Sequence, residues 1–139
     1  SLRLRRALTM AARRGVRVRL LLQGKYEYFV PYRASRQLYG KLLAAGVEIY
    51  EYHASVLHAK VAVVDGHWAT VGSSNLDPFS LLLAREANVV VHDAKFAQAL
   101  QTSLKEAMDS GATRVDPHTF AHRPWWQQGV DWGASLVLR

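Results

Sequence analysis

The chain has 139 residues, half of them hydrophobic, so it is long enough for one domain with a core and too apolar for a disordered segment. It contains no cysteine, which excludes a disulfide framework and any Cys-ligated zinc site. The formal net charge is +7, and Arg3, Arg5, Arg6, Arg13, Arg14, Arg17, Arg19 and Lys25 all precede the first acidic residue, Glu27. That balance points to an anionic partner, nucleic acid or an anionic lipid surface, or else to a solvated basic face.

"LRLRRALTMAARRG" places Leu2, Leu4, Leu8 and Ala11 at near-helical spacing, with Gly15 as the C-cap. "VRVRLLL", from Val16 to Leu22, alternates and then turns wholly apolar, as a strand entering a core does. "QGKYEYFVPY" reads as a loop with Gly24 and Pro31. Its Tyr26, Tyr28 and Phe29 follow a strand, where loops of α/β sheets line binding sites. "RASRQLYGKLLAAG" is a second helix, with Leu38, Leu42 and Leu43 turned inward and Gly46 ending it. "VEIYEY", from Val47 to Tyr52, is a second strand of period two. Helix, glycine, strand thus occurs twice in succession, which argues βαβ units.

"LHAKVAVVD" is a third strand, with Val61 to Val64 expected to be buried on both faces. Asp65-Gly66 forms a tight turn and "HWATVGS" returns as the hairpin partner. "REANVVVHD", from Arg85 to Asp93, is a further strand. "AKFAQALQTSLKEAMDSG" is a helix with Phe96, Leu100 and Leu104 at four-residue steps, stopped by Gly111. From Ala112 the pattern weakens, and "HRPWWQQGVDWG" reads as a tail. The expected fold class is α/β, a mixed β-sheet flanked by helices on both faces. Residues 1–111 would form the domain and residues 112–139 a tail, either interfacial with a membrane or packed on the domain. Trp125, Trp126 and Trp132, with Arg123, are the candidate interfacial anchor. No apolar run approaches the roughly 20 residues that cross a bilayer, and the arginine-rich start is not a signal peptide. The chain opens on Ser1-Leu2 and closes on "ASLVLR" in mid-pattern, so it is expected to be a piece of a longer protein.

The chemistry concentrates in "LHAKVAVVDGHWATVGSSNLDP". Residues i and i+2 of a strand face the same way, so His58 and Lys60 project together at the mouth of an apolar strand. An ammonium beside an imidazole disfavours imidazolium, leaving a neutral ring able to attack, while the lysine holds an anionic oxygen. The hairpin brings back Gly72, where the backbone can come close, and Ser73 and Asn75, a hydroxyl and an amide at i and i+2. His58, Lys60, Ser73 and Asn75 can then converge on one phosphate. Asp65 and Asp77 stand apart, whereas a hard cation wants clustered oxygens, so no metal and no cofactor is expected. A lone His-x-Lys on a strand is usually surface decoration; the full spacing of His58, Lys60, Asp65, Gly72, Ser73 and Asn75 is what singles it out.

That spacing resembles the HKD signature of the phospholipase D superfamily. The surrounding "GVEIYEY", "LHAK", "DGHWATVGSSNLDPFSL", "EANVVVHD" and "RPWW" look like the C-terminal half of bacterial cardiolipin synthases. The resemblance runs from about residue 5 to residue 130. It implies a phospholipase D-like half-domain whose motif histidine attacks phosphorus to give a phosphohistidine, with a second motif histidine protonating the leaving alcohol. On this chain His58, Lys60 and Asn75 would hold the phosphate. Asp65 would organise the turn or pair with a basic group. Ser73 and Glu86 would buttress the histidine, unless Glu86 is an ordinary glutamate at a strand start. Relatives usually read Asn-x-Glu where this chain has Ala84-Arg85-Glu86, which removes one amide from that surround. None of His53, His67, His92, His118 and His122 has a lysine two residues on, so the chain carries one motif where the family's site needs two. The second half-domain would come from the same longer chain or from a homodimer. The implied substrate is a phosphatidylglycerol-type phospholipid, reached by peripheral contact with the cytoplasmic face of the bacterial inner membrane. The alternatives are a homodimeric phosphodiesterase or nuclease of the same superfamily, with nucleic acid as partner, and a non-catalytic binding or dimerisation module.

Overall fold

The computed structural model describes residues 2–24, 29–73, 86–124, 126–130 and 132. The described elements are α1 (Leu2–Arg13), β1 (Arg19–Gln23), α2 (Phe29–Ala44), β2 (Glu48–Tyr52), β3 (Val61–Val64), β4 (Trp68–Gly72), β5 (Asn88–His92), α3 (Ala94–Gly111), β6 (Ala112–Arg114) and α4 (Pro117–Ala121). Residues 126–130 are also helical.

The repeated helix-glycine-strand words have one physical cause. Gly15 and Gly46 both take left-handed φ angles, 94° and 95°. After α1, Gly15 N–H donates to Ala12 O and Val16 N–H to Ala11 O; after α2, Gly46 donates to Leu43 O and Val47 to Leu42 O. This double closure satisfies the last helical carbonyls and turns the chain back as a strand. It also explains why β1 begins at Arg19 rather than Val16, whose amide is committed to the helix end. β1 and β2 pair in parallel, Arg19 opposite Glu48 through Gln23 opposite Tyr52. β6 adds to the other edge of β2 antiparallel, with Tyr50 opposite Arg114. The second sheet is antiparallel throughout, in the order β3-β4-β5. The fold is α/β with a mixed sheet, as the sequence suggests.

Several local expectations are corrected. Phe29 and Pro31 belong to α2, not to a loop: proline is tolerated in a first turn, where its missing N–H has no helical partner. Leu38 is 39% exposed, and the inward stripe of α2 is Tyr39, Leu42 and Leu43. Phe96 is 42% exposed, and α3 buries Ala97 and Met108 instead. β3 alternates between half-buried and exposed positions, with Val64 47% exposed. Runs buried on both faces belong to parallel sheets, and this sheet is antiparallel. Tyr26 and Tyr28 lie outside the described residues.

Tyr39, Leu42, Leu43, Val47, Ile49 and Phe120 form the main core, and Leu20, Leu22 and Val115 pack against it. Ala112–Arg114 is a strand of the first sheet and Phe120 is buried, so the stretch after α3 enters both sheet and core. α3 itself starts on an Asp93 cap, whose carboxylate accepts from Phe96 N–H at 2.7 Å. It packs on all three strands of the second sheet and also reaches β2 and β6. At its far end Gly111 O accepts from His53 N–H at 2.8 Å and Ala54 N–H at 3.3 Å. A Cβ on Gly111 would stand 2.7 Å from the Tyr52 ring, so only glycine lets the helix end approach this closely.

Candidate active site at the open end of the β3–β4 hairpin

His58 and Lys60 stand just ahead of β3, in extended chain rather than inside the strand. The ladder continues one rung past the strand, because Gly72 N–H donates to Lys60 O at 3.0 Å. On the other side, Leu57 N–H donates to the side-chain oxygen of Gln23 at 2.8 Å, tying the segment to the end of β1. Between these anchors the side chains of His58 and Lys60 meet, with Lys60 Nζ 2.8 Å from His58 Nε2. An ammonium has only donors, so this contact is a hydrogen bond in the tautomer that carries its proton on Nδ1, with Nε2 accepting. An anion arriving there meets a cation and an imidazole nitrogen at once.

The hairpin returns as the sequence predicts. Asp65 and Gly66 both take positive φ, 54° and 72°, and His67 N–H donates to Val64 O at 3.3 Å. Positive φ at both central positions gives the turn the twist of its flanking strands. Asp65 caps the far end of the hairpin: five residues of extended chain from Lys60 is about 16 Å. It stands in the turn, at the end of the hairpin away from His58.

Gly72 is required by crowding. A Cβ there would lie 2.6 Å from Ala87 O, with the Asn88 side chain closer still. Ser73 then locks the hairpin to the chain before β5: its N–H donates to Ala87 O at 3.0 Å, and its Oγ accepts from Ala87 N–H at 3.0 Å. Ser73 therefore holds backbone, and Glu86 is the next residue out from that lock. Among the described residues no hydrogen bond joins Glu86 to His58. Asn75 lies outside the described residues. Among the described residues no three imidazole or acidic side chains stand close enough to hold a metal ion.

One functional-looking group went unread in the sequence. Period two in "VEIYEY" puts Glu51 on the same face as Val47 and Ile49, and the structure buries all three. Its carboxylate accepts from Arg36 and from Tyr39 Oη, each at 3.4 Å. At the other end of β2, Glu48 accepts from Arg17 Nε at 2.8 Å and from Tyr50 Oη at 3.1 Å, with Arg114 at 3.6 Å. The Arg17 hydrogen bond is the main reason its carboxyl is held below the usual carboxylate range, against the opposing effect of burial.

The family model described as "Cardiolipin synthase, PLD-like domain" matches residues 2–108. Cardiolipin synthase B of Escherichia coli (strain K12) is 47% identical over 120 residues, covering 86% of this chain and 29% of that protein. Cardiolipin synthase A of Cronobacter sakazakii is 38% identical over 128 residues, covering 90% of this chain and 26% of that protein. The chain thus spans less than a third of the curated relatives it matches. The crystal structure of Nuc, a phospholipase D family member from Salmonella typhimurium, superposes with a TM-score of 0.68 at 20% identity, covering 80% of this chain and 72% of that one. At that identity the likeness is one of fold.

Proposed function

The chain belongs to the cardiolipin synthase family of phospholipase D-like domains, and from that premise we propose that it is one half of a phosphatidyltransferase site. His58 Nε2 attacks the phosphorus of a phosphatidylglycerol-type phospholipid. The bond from phosphorus to the glycerol oxygen breaks, and the phosphatidyl group rests on the imidazole as a phosphohistidine. A second motif, from the same longer chain or a second copy, supplies the imidazole that protonates the leaving alcohol. That imidazole then takes the proton of the acceptor alcohol as it displaces His58. Lys60 and Asn75 hold the phosphate oxygens, Ser73 keeps the hairpin end in place, and Glu86 orients an imidazole in the assembled site. The membrane contact is peripheral, at the cytoplasmic face of the inner membrane. No described helix is long and apolar enough to cross a bilayer.

The observation that carries this reading is the 2.8 Å approach of Lys60 Nζ to His58 Nε2, at the open end of a hairpin whose spacing is that of the motif. An imidazole nitrogen and an ammonium this close suit the roles of nucleophile and phosphate-holding cation. The test is His58→Ala in the full-length protein. Cardiolipin formation should fall to background, and denaturing gels of the unaltered protein quenched in turnover should retain labelled phosphatidyl on His58. Undiminished synthesis by His58→Ala would sink the reading. A second reading, a homodimeric phosphodiesterase acting on nucleic acid, draws on the +7 charge and the arginines of α1. Gel-shift and nuclease assays on this chain separate the two.

A further inference from the structure

α1 turns a stripe of unneutralised guanidiniums to solvent. We propose that this stripe is the surface by which the chain lies on an anionic phospholipid bilayer. The inference rests on the peripheral membrane contact of the proposed function and not on phosphatidyl transfer.

Placement is the first argument. Leu4, Leu8, Ala11 and Ala12 of α1 are half-buried, and Ala12 packs against the main core. Arg3, Arg6, Met10 and Arg13 follow at steps of three, four and three residues, so they share the opposite side, and all four are exposed. Arg14 is exposed just beyond the helix end. From Arg3 to Arg13 the stripe runs about 15 Å at 1.5 Å per residue, a straight edge that a flat surface can meet along its whole length.

Charge is the second argument. Neither α1 nor α2, the helix it packs on, contains an aspartate or glutamate. Among the described residues no carboxylate pairs with Arg3, Arg6, Arg13 or Arg14, and Glu48 is taken by Arg17 and Arg114. A solvated helix face ordinarily mixes both signs. This one gives up local stability instead. Arg3 and Arg5 stand in the first turn, against the helix dipole, and Arg3 and Arg6 repel at i and i+3. An anionic surface relieves both effects.

What stands among the arginines favours lipid over nucleic acid. Met10 is 58% exposed in the middle of the stripe, and Val16, just past the helix, is 49% exposed. Such apolar groups can enter the headgroup layer between the charges. From Leu2 to Arg19 there is no aromatic ring to stack on a base and no asparagine or glutamine to read one.

The test measures sedimentation of this chain with vesicles of phosphatidylcholine alone and of phosphatidylcholine mixed with phosphatidylglycerol. The chain should bind only the anionic vesicles, and added salt should release it. Arg6→Gln combined with Arg13→Gln, which keeps helix propensity, should weaken binding about 25-fold, near fivefold for each arginine at an anionic surface. Met10→Gln should weaken it about fivefold, the scale of burying half a methionine side chain. His58→Ala and Trp126→Ala should bind as the parent does. Undiminished binding by the double arginine variant would overturn the proposal. Loss of binding in Trp126→Ala with the double variant unaffected would keep the membrane contact and remove it from α1. A parent that ignores anionic vesicles would overturn the contact as well, leaving phosphatidyl transfer to its own assay. Arginine-dependent binding of a DNA duplex, tighter than that of the vesicles, would assign the stripe to nucleic acid and overturn the proposal too.

Discussion

Gly72→Ala and Gly40→Ala are the same chemical change with opposite expected signs. At Gly40, inside α2, an added Cβ meets only Phe120 Cε1 at 3.9 Å, an ordinary contact. Alanine there should stabilise the chain by about 0.5–1 kcal/mol through helix propensity. At Gly72 the φ is not left-handed, so alanine gains about 0.5–1 kcal/mol from the unfolded state. Against that stands a Cβ 2.6 Å from Ala87 O. The Asn88 side chain can swing aside, but that carbonyl belongs to backbone and accepts from Ser73 N–H, while Ala87 N–H donates to Ser73 Oγ. Overpacking of about 1–3 kcal/mol and two weakened hydrogen bonds of about 1 kcal/mol each leave a net loss of about 2–4.5 kcal/mol for Gly72→Ala. Urea unfolding of the two variants beside the parent gives both signs directly. Amide exchange should quicken at Ser73 and Ala87 in Gly72→Ala alone. If Gly72→Ala matched or exceeded the parent in stability with Ser73 still protected, the crowding argument for the hairpin end would be wrong.

Gln23→Ala removes the acceptor of Leu57 N–H, so exchange at Leu57 and His58 should rise several-fold while global stability drops by only about 1 kcal/mol. Glu51→Leu leaves Arg36 facing an apolar wall and should cost about 2 kcal/mol by thermal unfolding, although it adds hydrophobic area. Because the Glu48 carboxyl is held low in the folded state, its stabilisation is present above the ordinary carboxylate range and is lost as pH falls through the lower folded value. Glu48→Gln should therefore flatten the acid limb of the stability curve. At Asp65 the left-handed φ of 54° makes shape the requirement: Asp65→Gly should stay within about 0.5 kcal/mol of the parent and Asp65→Val should lose about 1–2 kcal/mol.

What the sequence made legible follows from how local each cause is. Gly15 and Gly46 announce two helix ends because a Schellman closure needs glycine at one fixed place. Asp65-Gly66 announces its turn for the same kind of reason. The misread positions depend on distant partners. Which of Leu38 and Tyr39 turns inward is decided by Glu51 and Phe120, residues from β2 and α4. The short β6 of Ala112–Arg114 has almost no pattern of its own and exists because β2 offers a free edge. Glu51 was readable from the period of β2, but a glutamate is seldom expected inside, and only Arg36 and Tyr39 make that position tolerable.

The placement of His58 outside the ladder bears on the proposed chemistry. Within a strand its side chain would be walled by cross-strand neighbours; beyond any anchor its backbone would wander. Here the chain is fixed just before it by Gln23 on Leu57 and just after it by Gly72 on Lys60, while the ring itself stays exposed. A phosphodiester can therefore reach a positioned Nε2. Yet one imidazole cannot spend its lone pair on phosphorus and in the same step deliver a proton to the departing glycerol oxygen. Lys60 stands on the Nε2 side of the ring, whereas a leaving group departs from the face opposite the attack. Among the described residues no second imidazole touches His58. In the proposed reaction the proton has to come from the far side of the phosphate, which is why the proposal calls on a second motif beside the single His-x-Lys of this chain.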